Sequence, residues 1–206
     1  MKLYYFPPMA SLAVLIAAKE LGIDLELERY DPISGLTQRG RRLAEISAKA
    51  CIPVLERDDG SILTETPVIL DWLALRDASL RLSAPPGSEE HLRIMEWMAY
   101  FASEQHKYYS MLFWDLPEEA KAEIVRRLIH RFAIVEKALV GRRYLVGDRY
   151  TIADIYLLII VRGLHLVPSF DLRAAYPNIA AFQQQLEARP QVASAMSAHG
   201  LDDWGH

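Results

Sequence analysis

The chain has 206 residues, of which 51% are hydrophobic, 24% charged and 10% aromatic; this excludes disorder and allows a sizeable core in one domain or two small ones. The formal net charge is −4 and neither half has a basic excess, so no nucleic acid is expected as a partner. The longest apolar runs, residues 12–18 and 155–161, have seven residues each, where a membrane span needs about 20. The N-terminus lacks the apolar core and cleavage site of a signal peptide. The single cysteine, Cys51, excludes an internal disulfide and a cysteine-based zinc site. A soluble cytoplasmic protein is expected, with no membrane partner.

Residues 2–6 are short and aromatic and read as a strand. Ser11 opens an apolar helix, SLAVLIAAKEL, which Gly22 closes. Residues 25–30 begin by alternating apolar and charged side chains, the pattern of a second strand. Residues 36–46 read as a weak, basic helix. Residues 52–57 and 61–64 flank Asp58-Asp59-Gly60, a hairpin signal. Thr66 suits an N-cap and Pro67 the first turn of a helix running to about residue 76. The order is β-α-β-α-β-β-α. Residues 79–88, with Pro85-Pro86-Gly87, read as a linker, and Ser88 can cap the next helix. Helical patterns then cover 89–113, 117–140, 152–166, 177–188 and 191–198, without a convincing strand. The expected division is an α/β domain over 1–78, a linker over 79–88 and an all-helical domain over 89–206. Thr151 and Asp154 have the spacing of a capping box, with Tyr150 and Ile155 as its staple, a folding device rather than chemistry.

Four segments in order resemble the cytosolic glutathione transferases over essentially the whole chain. They are MKLYYFPPMASLA at the start, Ile52-Pro53-Val54-Leu55, LTETPVIL over 63–70 and YTIADIYLL over 150–158. The opening, and ASEQHK over 102–107, are most similar to the bacterial beta class. The resemblance implies an α/β thioredoxin-like N-terminal domain followed by an all-α C-terminal domain, glutathione as cosubstrate and a homodimer. His91, His130, His165, His199 and His206 show no metal-site pairing, and no metal is expected.

The resemblance also implies roles. The Ile52–Pro53 bond is expected to be cis, so that the main chain of Ile52 pairs with the cysteinyl backbone of glutathione; Cys51 lies beside it. Thr66 and the first N–H groups of its helix would hold the γ-glutamyl carboxylate, and Glu65 the γ-glutamyl ammonium. Ser103 and Glu104 would line the cleft between domains and reach the glutathione of the partner subunit. By residue type alone, and not through the resemblance, His106 is a candidate for acid–base chemistry near neutral pH, although a lone histidine more often has no special role. Phe6, Pro7, Pro8, Met9 and Ala10 would form one wall of an electrophile pocket, and Tyr109, Phe113 and Trp114 the other.

The resemblance further implies that the glutathione sulfur is held, as a thiolate, at the start of the first helix. A free cysteine thiol has a pKa of about 8.5, and lowering it by two units takes about 2.7 kcal/mol. A helix dipole supplies roughly 0.3–1 kcal/mol and a hydrogen bond to the charged sulfur roughly 1.5–3 kcal/mol, so a donor is needed as well. Ala10 stands where the beta class usually carries a cysteine, which excludes a mixed disulfide through that residue. Ser11 is the first candidate donor and Tyr5 the second. Gly35 stands where the beta class often has a lysine that reaches the glycyl carboxylate, leaving Lys49 or Arg39 as substitutes, and Ala50 stands where that family usually has a glycine. The expected activity is conjugation of glutathione to small apolar electrophiles. The alternatives are a catalytically silent binding protein of the same fold, or a glutathione-dependent isomerase, dehalogenase or peroxidase.

Overall fold

The computed structural model describes residues 1–7, 10–166 and 171–201, without the side chains of residues 165, 166 and 172. Pro8, Met9 and His206, and the side chain of His165, therefore lie outside the described residues. The chain divides into two compact units, Met1–Ser83 with residues 189–201, and Ala84–Ala188.

In the first unit, β1 (Lys2–Tyr5), α1 (Ser11–Leu21), β2 (Glu26–Asp31), β3 (Leu36–Thr37), α2 (Leu43–Ile46), β4 (Val54–Glu56), β5 (Ile62–Thr64) and α3 (Thr66–Ala74) succeed one another. The five strands form one sheet in the order β3-β2-β1-β4-β5. β1 pairs parallel with β2 and antiparallel with β4, placing Leu3 opposite Leu27 and Leu55. Leu3 and Tyr4 are both buried although they point to opposite faces, so the centre of the sheet is covered on both sides. Tyr4 packs with Leu43 and Val54 under Tyr30, Ile46, Ile52 and Ile62.

The helix expected over 36–46 is a correction. Leu36 and Thr37 pair with Asp31 and Tyr30 as an edge strand, and only Leu43–Ile46 is helical. Gly40, at φ 79°, and the Thr37–Arg41 turn separate the two, and a left-handed glycine breaks a helix at that point.

α1 explains the composition of this unit. Every residue from Ser11 to Ala18 is buried, so the helix has no solvent face and needs cover all round. The sheet and α3 supply part of it. A further part comes from α10 (Pro190–Ala198), at the far end of the chain, which packs along α1. The bidentate pair of Arg189 with Glu20, at 2.7 and 2.9 Å, ties the start of α10 to the last turns of α1. The C-terminal helix thus groups with the sheet, not with the helices that precede it in sequence.

The second unit holds α4 (Glu89–Tyr100), a π-helical turn (Phe101–His106), α5 (Lys107–Met111), α6 (Glu118–Ala138), α7 (Ile152–Arg162) with a 3-10 turn (Gly163–Leu166), α8 (Leu172–Ala175) and α9 (Pro177–Glu187). Ser88 caps α4 by accepting from the N–H of His91 at 3.2 Å. α7 is buried along its whole length and is the axis of this unit. Its capping box is formed as expected. Asp154 Oδ2 accepts from the N–H and the hydroxyl of Thr151, at 2.8 and 3.0 Å, and Oδ1 from the N–H of Leu145 at 2.8 Å. Burial pushes the Asp154 carboxyl up to about 7, against the lowering effect of the Leu145 and Thr151 donors. At the other end, the buried Arg162 pairs with Glu187 of α9.

Asp154→Ala leaves three donors without an acceptor inside the second unit. Urea unfolding is expected to show a loss of about 2–4 kcal/mol; an unchanged midpoint would mean that the capping box adds nothing.

Candidate functional site

α1 begins at a loop that leaves β1. Ala10 holds the N-cap position without a capping bond and is 2% exposed. Ser11 is the first helical residue and is completely buried. Its Oγ lies 3.3 Å from both main-chain groups of Phe6, accepting from the N–H and donating to the carbonyl. The same Oγ is 3.4 Å from Nε2 of His199. The Tyr5 ring stands against that imidazole with centroids 4.7 Å apart.

Both side chains chosen as sulfur donors therefore meet one histidine, which sequence reasoning set aside for want of a metal pattern. No local signal could have found it, because His199 is 188 positions from Ser11. Burial, helped by the Arg29 charge, pulls the His199 pKa from 6.5 down to about 4, so the ring is neutral at pH 7. A hydroxyl offers one proton and two acceptor positions. With the imidazole proton on Nε2, Ser11 accepts from His199 and from Phe6 and donates to Phe6, and all its positions are filled. Nδ1 is buried and has no hydrogen-bond partner among the described residues, and a bare lone pair there costs less than an orphaned N–H. The geometry thus commits the Ser11 proton to the protein. Tyr5 is half-buried and its hydroxyl makes no hydrogen bond among the described residues.

Across the sheet, the Ile52–Pro53 bond is cis, as expected. Ile52 is half-buried, Pro53 buried, and the Cys51 thiol is exposed. Ala50 has φ 47°, which explains why a glycine suits that place. Glu65 also has a positive φ, 71°, at a cost on the order of 1–3 kcal/mol for a side-chain-bearing residue. The cap assignment shifts by one: Glu65, not Thr66, is the N-cap of α3, and Thr66 and Pro67 are its first two residues. The reason is the helix's first bond, from the N–H of Ile69 to the Glu65 carbonyl at 2.9 Å. The Glu65 side chain makes no capping bond and instead pairs with Lys49 Nζ at 2.7 Å. Thr66 is buried at the helix start.

The two cations considered for a ligand carboxylate are thus both engaged. Arg39 holds Glu26 and, at 3.1 Å, the buried carboxylate of Glu28. Lys49 holds Glu65.

In the helical unit the expected continuous α-helix over 89–113 is interrupted by the π-helical turn, and its polar side chains go to separate partners. Ser103 is exposed and donates to the Ala99 carbonyl at 3.0 Å. Glu104 pairs with Arg131 at 2.6 Å, whose guanidinium lies over the Tyr108 ring. His106 Nδ1 is 2.7 Å from the hydroxyl of the buried Tyr156. Lys107 lies over the Trp114 ring.

The expected electrophile walls need correction. Ala10 is buried and offers no surface, and Pro8 and Met9 are outside the described residues. Tyr109 is buried inside the helical unit against Gly163, where a Cβ would meet its ring at 2.9 Å. Phe113 and Trp114 are exposed. Among the described residues, no three His, Cys, Asp or Glu side chains are grouped to hold a metal, and no helix is long and apolar enough to cross a membrane.

Residues 10–76 match the family described as Glutathione S-transferase, N-terminal domain, and residues 104–198 match Glutathione S-transferase, C-terminal domain. The chain is 36% identical over 202 residues to Glutathione S-transferase GstA of Escherichia coli O157:H7, covering 98% of this chain and 100% of that one. A sphingomonad glutathione S-transferase solved in complex with glutathione is similar at TM-score 0.92 and 33% identity, over 98% of this chain and 100% of that one. A beta class glutathione S-transferase of Sphingomonas chungbukensis is similar at TM-score 0.92 and 29% identity, over the same shares.

His199 gives the first unit a pH dependence of definite sign. Unfolded, it takes up a proton near pH 6.5; folded, it stays neutral down to about 4. Between those values the unfolded state binds more protons, so stability falls as the pH drops, by up to about 3 kcal/mol. Denaturant midpoints between pH 7 and pH 4 should show this loss in the wild type and lack its His199 share in His199→Gln. Parallel pH profiles for the two proteins would disprove the assignment.

Proposed function

The chain belongs to the glutathione S-transferase family, and we propose that it is an enzyme joining the sulfur of glutathione to small apolar electrophiles. The observation that carries this reading is the placement of Glu65 directly before α3. A carboxylate and the first N–H groups of a helix lie side by side, and together they complement an ammonium and a carboxylate on one carbon. The γ-glutamyl end of glutathione has that pair of charges. In this reading Thr66 and the α3 N–H groups take the carboxylate, Glu65 the ammonium, and the main chain of Ile52, next to Pro53 and Cys51, the cysteinyl residue. A complex with glutathione in the sphingomonad relative supports the ligand.

The sulfur then lies at the N-terminus of α1. Its S–H proton passes to solvent, the sulfur lone pair bonds to the electrophilic carbon, and the leaving group departs with its electron pair. Proximity and thiolate stabilisation supply the catalysis. Tyr5 is the side-chain donor in this reading, because its proton is uncommitted. Ser11 is the positioning residue, because its hydroxyl ties the loop after β1 to α1 and His199. Ser103, Glu104 and the homodimer enter only through the resemblance.

One observation favours a second reading, binding without turnover: Ala10 carries no thiol and the Ser11 hydroxyl is engaged. Calorimetry with reduced glutathione comes first; no saturation at millimolar ligand would refute both readings. Conjugation to an activated aryl halide then separates them. In an active enzyme, Tyr5→Phe should raise the pKa of the bound thiol by about one, the worth of a hydrogen bond to a charged group. Thiolate absorbance against pH reads this directly. A rise in Ser11→Ala with none in Tyr5→Phe would return the donor role to Ser11.

A further inference from the structure

The Lys49–Glu65 pair carries an inference that rests on the reading above. We propose that Lys49 is an internal competitor for the ligand's ammonium group, and that glutathione binds by exchanging its α-ammonium for the Lys49 ammonium on Glu65.

Lys49 Nζ sits 2.7 Å from Glu65 Oε1, a full ion-pair contact. Both side chains are more than half exposed, at 57% and 59%, so the pair can open without burying a charge. The two residues come from different segments, the loop before Pro53 and the start of α3. Each segment holds a non-glycine residue in the left-handed region, Ala50 beside Lys49 and Glu65 itself. The other cation considered for ligand contact, Arg39, is held on Glu26 and Glu28. The carboxylate assigned to the ligand's ammonium thus already holds a primary ammonium.

The exchange is chemically symmetrical: one primary ammonium leaves the carboxylate and another takes its place. Its net gain is therefore smaller than that of an ammonium meeting an empty carboxylate. The released lysine regains solvent and rotamer freedom. Lys49 thereby tempers selection for the amino group of the ligand. A ligand without that amino group leaves the pair closed and gains nothing at Glu65.

The test is a binding cycle at low ionic strength, with wild type and Lys49→Gln titrated with reduced glutathione and with its desamino analogue, in which a glutaryl group replaces γ-glutamyl. Lys49→Gln should bind glutathione about two- to fivefold more tightly, the range for an exposed ion pair, and the desamino analogue no more tightly. The difference should shrink at high salt. Weaker binding of glutathione by Lys49→Gln would make Lys49 a ligand contact and overturn the proposal, as would unchanged affinity. If wild type binds no glutathione at all, the proposed function falls and this inference with it. If it binds and the substitution does not tighten it, only this inference falls.

Discussion

The candidate site depends on a helix with no outside. α1 is buried from Ser11 to Ala18, so it cannot rock against the sheet without opening a core packed as tightly as a crystal. Its first residue is fixed as a result, and with it the loop that leaves β1. Ser11 adds a polar lock to that packing through its three-way contact with Phe6 and His199. Rigid support of this kind lets backbone N–H groups act on a charge that develops late, because they need no reorganisation.

In the first unit several charges are already paired. Arg39 crosses to Glu26 and Glu28, Lys49 to Glu65, and Arg189 to Glu20. The pairs differ in what water can do to them. Glu28 is buried and needs its arginine, since an unpaired buried carboxylate is costly. Glu65 and Lys49 are open to solvent and can part cheaply. Ala50 and Glu65 hold left-handed backbone on either side of Pro53, a conformation that costs a side-chain-bearing residue on the order of 1–3 kcal/mol.

Most of the architecture was legible because its signals are local. The Gly22 stop, the Asp58-Asp59-Gly60 turn, the Ser88 cap and the Thr151–Asp154 box each lie within a few residues of the elements they organise. Where a short segment was decided by its neighbours, local reading failed. Leu36–Thr37 became an edge strand because β2 offered it a partner, and the Phe101–His106 turn took π geometry that no spacing rule in a polar stretch reveals. Glu65, Thr66, Ile52 and Pro53 were recognisable from order and type. The contacts of Ser11 and Glu65 were not, because Ser11 meets His199 across 188 positions and Lys49 meets Glu65 across 16.

The return of α10 to the first unit has a consequence for how the protein is made. The sheet, α1 and α3 leave the ribosome first, but the helix that finishes covering α1 is residues 190–198, behind the whole of the second unit. At ordinary elongation rates that delay is on the order of ten seconds. During it the apolar flank of α1 lacks its final cover, and an exposed surface of that kind invites association with other chains. The unit begun first is thus completed last, and a nascent chain cut short anywhere in the second unit never receives its own lid.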